Sequence, residues 1–219
     1  MSTRVRVREL AAEYIAKGDP TGWFEQLYRE AAEGSSVVPW ADLRPNPNLV
    51  EFLSRHPIPA AGKTALKIGC GLGDDAAELA ERGFETTAFD ISASAIRACN
   101  QRFPGRVRFV VADVLHPPAE WTGYFDFVLE SYTLQVLPPL PRREALRNVA
   151  SLVKEGGHLL LIARGREEGD PEGEMPWPLK RIEIENVSTL RTLSFEDYFD
   201  TESPPVRRFR VLYEKRSRV

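Results

Sequence analysis

The chain has 219 residues, 42% of them hydrophobic, 28% charged and 10% aromatic, and a formal net charge of −3. These proportions predict a soluble globular protein long enough for one sizeable core and too short for two. The slight acidic balance argues against a nucleic-acid partner, whose backbone is bound by concentrated Lys and Arg.

The longest apolar run, His158 to Ala163, falls far short of the ~20 residues needed to span a bilayer. MSTRVRVREL is followed by neither an apolar stretch nor a small-residue cleavage site, so the expected location is the cytoplasm, with no membrane partner. The two cysteines, Cys70 and Cys99, fall inside expected core segments and support neither a disulfide framework nor a zinc cluster. His56, His116 and His158 lack ligand spacing, so no metal is expected.

Residues 1–60 read as a helical cap. Val7, Leu10, Ala11, Tyr14 and Ile15 form one helical stripe, and Trp23, Phe24, Leu27 and Tyr28 begin another. Pro39-Trp40 and Pro45-Asn46-Pro47 then break regular structure before a helix at Asn48 to Ser54.

From residue 61 to 219 an α/β core is expected within the same single domain. A strand at Thr64 to Ile68 leads through a glycine turn into a helix from Asp74 to Arg82, which Gly83 ends. A second strand, Glu85 to Asp90, reaches Ser92, an N-cap for a helix carrying Ile96, Ala98 and Cys99. Strands at Val107 to Val111 and Phe125 to Glu130 follow, then a helix from Arg142 to Val153, the Gly156-Gly157 turn and a strand at His158 to Ala163. After a charged stretch reaching Pro178, a short helix is expected from Leu179 to Asn186. The strands Thr189 to Tyr198 and Val206 to Tyr213, joined by a short turn, must be antiparallel neighbours. The pattern predicts a doubly wound, seven-stranded, mostly parallel sheet with an antiparallel last strand. The arginines of Pro205 to Arg210 are read as a solvated face, and His158 as structural.

The turn Gly69-Cys70-Gly71-Leu72-Gly73 lies between strand and helix, where glycines let the backbone turn sharply and approach a ligand. Asp90 ends the second strand, from which a carboxylate can accept both hydroxyl hydrogens of a ribose, and Asp113 follows the third. The dinucleotide fingerprint G-x-G-x-x-G fails, because its sixth position is Asp74. A pyrophosphate at this helix start would also meet Asp74 and Asp75, which complement the helix dipole themselves. A ligand with ribose and adenine but no phosphate suits the site, and S-adenosylmethionine is one.

At these residues the chain resembles the class I S-adenosylmethionine-dependent methyltransferases over roughly residues 63 to 214. Four signals occur in order: the glycine turn, Asp90, Ala112-Asp113-Val114, and Phe125 to Glu130 before Ser131-Tyr132. The resemblance implies a Rossmann-like fold and S-adenosylmethionine as cofactor, released as S-adenosylhomocysteine. It also implies that Gly69, Cys70 and Gly71 meet the methionine tail, Asp90 the ribose, Ile91 the adenine face, and Asp113 with Val114 the adenine edge. Glu130 is counted with this set. Where many members carry an acid two residues before the first glycine, this chain has Lys67, expected to pair with Asp74 or Glu130.

Val38-Pro39-Trp40-Ala41-Asp42, Pro45-Asn46-Pro47-Asn48-Leu49, Ser131 to Gln135 and Pro176-Trp177-Pro178-Leu179 are similar to segments of thiol, halide and thiopurine methyltransferases. Trp23 and Trp40 are read either as anchors of the cap or as cofactor contacts. A thiol or halide needs little general base. For an oxygen nucleophile, Tyr132 or His116 is the candidate for proton transfer, beside packing or solvated-loop roles. The segment after strand four is not the Asn- or Asp-Pro-Pro-Tyr of base methyltransferases, which favours a small-molecule acceptor. Small-molecule O- or N-methylation and a catalytically silent cofactor-binding protein stay open. A nicotinamide-dependent dehydrogenase lacks both its fingerprint and a Tyr-x-x-x-Lys pair.

Overall fold

The computed structural model describes residues 3–185 and 187–216. Three helices come first, α1 (Thr3–Ala16), α2 (Trp23–Ala32) and α3 (Pro47–Arg55). Then follow β1 (Thr64–Ile68), α4 (Asp74–Glu81), β2 (Glu85–Asp90), α5 (Ala93–Arg102), β3 (Arg108–Val111), β4 (Phe125–Ser131), α6 (Pro139–Leu152) and β5 (Val153–Arg166). The chain closes with β6 (Leu179–Lys180), α7 (Arg181–Glu185), β7 (Leu190–Phe199) and β8 (Arg207–Lys215).

The main sheet runs β3-β2-β1-β4-β5-β8-β7, with β1 to β5 parallel and β8 inserted antiparallel between β5 and β7. This is the expected mostly parallel, doubly wound sheet. Strand order reverses at β1, so the carboxyl ends of β1, β2 and β4 flank the crevice where ligands of open α/β sheets bind.

Several boundaries shift by one or two residues from expectation, and three elements change more than that. The helix expected from Leu179 opens as the two-residue strand β6, which pairs with Gly165 and Arg166, so α7 starts only at Arg181; Asn186 lies outside the described residues. α6 begins at Pro139, because proline is tolerated in a first helical turn. β5 already pairs at Val153, opposite Phe125, before a register shift carries the chain past the Gly156 turn.

Strand alternation divides the packing. Leu66, Ile68, Val128, Leu159, Leu161, Phe209 and Val211 face α6 and α7. Ala65, Phe127, Leu129, Leu160 and Ile162 face α3 and α4. Arg208 and Arg210 belong to the second face and are 2% and 3% exposed, which corrects the expectation of a solvated arginine strand. Their charges are matched from within: Arg208 by Asp200 and Glu202, Arg210 by Glu51, Glu196 and the Asn48 carbonyl.

Among the ties that hold the cap to the core, one carboxylate joins α2 to the start of α5. Glu25 of α2 accepts hydrogen bonds from Ser92 Oγ (2.6 Å), Ser94 N (3.0 Å) and Ser94 Oγ (2.8 Å) at the start of α5, where Ser92 also caps the helix through Ala95 N. Burial works against the Glu25 charge, but these donors outweigh it and its pKa falls below the ordinary value. Glu25→Ala should therefore cost on the order of 2 kcal/mol in urea unfolding and open α1 and α2 to limited proteolysis; an unchanged midpoint and cleavage pattern would show the cap to be held elsewhere.

Candidate functional site

Gly69, Gly71 and Gly73 all have left-handed backbones, with φ of +55°, +55° and +91°. Space forbids side chains as well. A Cβ at Gly69 would lie 2.4 Å from Thr133 Oγ1, and one at Gly71 3.0 Å from the Tyr28 hydroxyl. The turn is closed from β2 by Asp90, whose carboxylate accepts the amides of Gly71 (2.9 Å) and Ser92 (3.0 Å). Asp90 is 6% exposed, and burial raises its pKa despite the Ser92, Gly71 and Ile91 amides and the positive field of Lys67.

The two acids that begin α4 are both engaged. Asp74 forms a bidentate pair with Arg102, both distances 2.7 Å. Asp75 accepts Asn46 N and Ser131 Oγ, each at 2.8 Å, and lies 4.0 Å from Lys67 Nζ. Both expected partners of Lys67 are thus replaced: its ammonium donates to the carbonyls of Ile68, Gly69 and Ser131, beside Asp75. Since a cation attends each acid, charge alone no longer excludes a phosphate here, and that exclusion rests on the glycine spacing.

An aromatic group stands over the turn. Trp40 donates from its indole to the Tyr28 hydroxyl at 3.1 Å, and Trp23, Phe24 and Tyr28 meet Trp40 edge-on. Trp40 is 41% exposed, whereas Trp23 is fully buried with its indole N–H bonded to the Pro20 carbonyl. Trp23 therefore has no surface to offer a ligand and serves the packing of the cap. Tyr28, the residue against Gly71, reads in the sequence only as part of a helical stripe.

Beyond β2, Ile91 is half-buried, and Val114 packs its side chain into the main core, leaving its backbone for any polar contact. Asp113 accepts the Leu115 amide at 2.8 Å and lies 3.1 Å from His116 Nδ1. His116 is exposed on the same loop and has no contact with Tyr132 among the described residues, so the two catalytic candidates are not brought together. Cys70 within the turn and Cys99 against the Gly71 carbonyl are both buried free thiols.

At the end of β4, Glu130 accepts the amides of Thr133 (2.7 Å) and Leu134 (2.9 Å). This folds the chain back and sets Tyr132 at φ +66°, a conformation that costs a non-glycine residue about 1–3 kcal/mol. Glu130 is fully buried, so it shapes the turn without offering a face to a ligand, contrary to its expected place among cofactor contacts. The Tyr132 hydroxyl accepts from Asn48 Nδ2 at 3.0 Å, and the Arg208 guanidinium lies over its ring at 4.8 Å. Burial raises the Tyr132 pKa against the pull of Arg208, so the phenol is protonated at neutral pH and is a donor.

A hollow of about 480 Å³ lies at the opposite, amino-terminal edge of the sheet, lined by Thr64, Glu85, Arg108, Trp121 and Tyr124 among others. It contains none of the groups described above.

Burial pushes the Glu130 carboxyl from 4.5 up to about 7, against the Leu134 and Thr133 amides and Lys67. The folded protein then keeps a proton that the unfolded chain releases near 4.5, so stability is lost as pH rises between those values. Relative to wild type, Glu130→Gln should gain on the order of 2–3 kcal/mol of unfolding free energy between pH 4.5 and pH 8; a pH-independent difference in urea titrations would show that Glu130 ionises normally.

Residues 65–157 match the family profile described as a methyltransferase domain. The chain is 38% identical over 82 residues to magnesium-protoporphyrin O-methyltransferase of Rhodobacter capsulatus, covering 36% of this chain and 35% of that protein. It is 32% identical over 127 residues to ubiquinone biosynthesis O-methyltransferase of Chromobacterium violaceum, covering 55% and 52%. The chain spans about half or less of the length of these curated relatives. Among solved structures, it superimposes on an S-adenosylmethionine-dependent methyltransferase from Methanosarcina mazei with a TM-score of 0.65 at 21% identity, over 80% of this chain and 100% of the other. With the Burkholderia thailandensis 1,6-didemethyltoxoflavin-N1-methyltransferase, solved with that substrate and S-adenosylhomocysteine, the TM-score is 0.68 at 15% identity over 99% and 92%. Residues 65–157 thus resemble a methyltransferase domain, and the chain has the fold seen in S-adenosylmethionine-dependent methyltransferases.

Proposed function

We propose that this protein is an S-adenosylmethionine-dependent methyltransferase acting on a small molecule. The observation that carries the reading is the left-handed glycine turn at the switch point of the sheet, clasped by the Asp90 carboxylate on the Gly71 amide. The residues suit the cofactor chemically. The Asp90 oxygens accept the Gly71 and Ser92 amides and keep lone-pair capacity for a ribose hydroxyl. Lys67 is 2% exposed and has its charge turned inward onto carbonyls and Asp75. Gly69, Cys70 and Gly71 would border the methionine tail, Ile91 the adenine face, Asp113 and the Val114 backbone the adenine edge, and Trp40 the roof.

The cofactor supplies a methyl group on a sulfonium, already a good leaving group. The protein's task is to align the acceptor with that carbon and keep water out, which suits a site lacking a nucleophile–base pair and roofed by Trp40 and Tyr28. A thiol acceptor, the reading favoured by the cap and loop segments, needs little base assistance. An oxygen acceptor is the second reading, favoured by the O-methyltransferases among the relatives. In either case the protonated Tyr132 acts as a hydrogen-bond donor beside the acceptor.

Calorimetric titration with S-adenosylhomocysteine, with NAD as control, should give micromolar binding of the first and none of the second. Asp90→Ala should weaken that binding by about 2 kcal/mol or more. Unchanged affinity in the variant, or equal binding of NAD, would remove the assignment; labelled methyl transfer to a matched thiol and phenol then ranks the two acceptors.

A further inference from the structure

Resting on the methyltransferase reading, the geometry points to an acceptor that carries a carboxylate, received by Arg164 at the carboxyl end of β5. Arg164 follows Leu160 and Ile162 on the face of the sheet covered by α3, and its Cα partner across the β5–β8 ladder is Arg208. Three arginines, Arg164, Arg208 and Arg210, therefore share this face. Two are fully provided for: Arg208 holds Asp200 and Glu202, and Arg210 holds Glu51, Glu196 and a backbone carbonyl. Arg164 is half-buried, yet among the described residues its guanidinium forms no hydrogen bond and no ion pair.

Its surroundings sharpen the argument. The Arg164 backbone is fixed by Gln135, whose Oε1 accepts the Arg164 amide at 2.8 Å and whose side chain is 4% exposed. The charges acting on its guanidinium are Arg208, Glu202 and Arg4 of α1, and burial together with Arg208 lowers its pKa. Arg164, Arg208 and Arg4 set against Glu202 and Asp200 leave one positive charge that these groups do not neutralise among themselves. A guanidinium never titrates in this range, so the protein holds a partly desolvated cation with no internal partner. That arrangement is costly unless an anion completes it.

Position links the cation to the proposed reaction. Along the carboxyl edge come the glycine turn after β1, Thr133 and Tyr132 after β4, Arg164 at the end of β5 and Arg208 on β8. Arg208 stacks over Tyr132, and the next residue, Thr133, meets the end of β1 at the glycine turn, so phenol, arginine pair and turn share one edge. A carboxylate seated on Arg164 would orient the rest of the molecule past Tyr132 toward the cofactor's methyl group, by a planar bidentate contact.

The test uses the whole chain saturated with S-adenosylhomocysteine and two probes of one shape, benzoate and benzamide, titrated by ligand-observed NMR. Benzoate should bind about tenfold or more tightly than benzamide. Arg164→Gln should erase that difference without weakening S-adenosylhomocysteine binding or lowering the thermal midpoint, and Arg164→Lys should restore part of it by returning the charge without the fork. Equal affinity for the two probes, binding of neither, or a benzoate preference that survives Arg164→Gln would overturn the assignment. Failure of S-adenosylhomocysteine to bind would instead strike the underlying reading, and the benzoate comparison on the unliganded chain would still decide the anion site.

Discussion

The site depends on one buried carboxylate. Asp90, at the end of β2, holds the Gly71 amide with one oxygen and the Ser92 amide with the other, so the glycine turn and the start of α5 share an anchor. A charge in that position is tolerated only because backbone donors surround it. From Ser92 the chain of contacts continues to Glu25 and hence to the cap, whose Tyr28 returns to Gly71. Sheet edge, turn and roof thus form a closed ring of contacts, and a shift in any part is felt in the others.

Most of the other charged side chains around the site are paired. Asp74 is matched by Arg102, Asp75 by hydrogen bonds and Lys67, Arg208 and Arg210 by acids on β7, α3 and the turn before β8. These pairs add little net stability, because desolvation offsets much of their attraction. Their consequence is positional: they lock α3 and α4 against the sheet and fix the orientation of Tyr132 and Asn48. Arg164 stands outside the pattern, which is why it draws attention as a binding group.

Much of this was legible in the sequence, because period-2 strands, helical stripes and turn glycines each have a local cause. Thr64 to Ile68, the Ser92 cap and the glycine turn follow from residue chemistry that tertiary structure did not alter. The misreadings are long-range. Arg208 and Arg210 look like solvent residues until Glu51, Glu196 and Glu202 arrive from elsewhere in the chain. Lys67 could not be paired correctly, since Asp75 and three carbonyls converge on it only after folding. Glu130 and Trp23 sit beside motif positions in sequence, yet hydrogen bonding and packing turn them inward. Tyr28 and Glu25 carried no signal beyond helical spacing.

The central claim is that the glycine turn and the cap above it together form the cofactor site. Amide hydrogen exchange with and without S-adenosylhomocysteine tests it directly, because it reports where protection arises without requiring a known acceptor. The account predicts added protection at residues 69–73, at Ile91 and Ser92, and in α2 through the Glu25 and Tyr28 contacts. Protection confined to the amino-terminal edge of the sheet, around Thr64, Glu85 and Trp121, or a turn that gains protection while α2 does not, would contradict it.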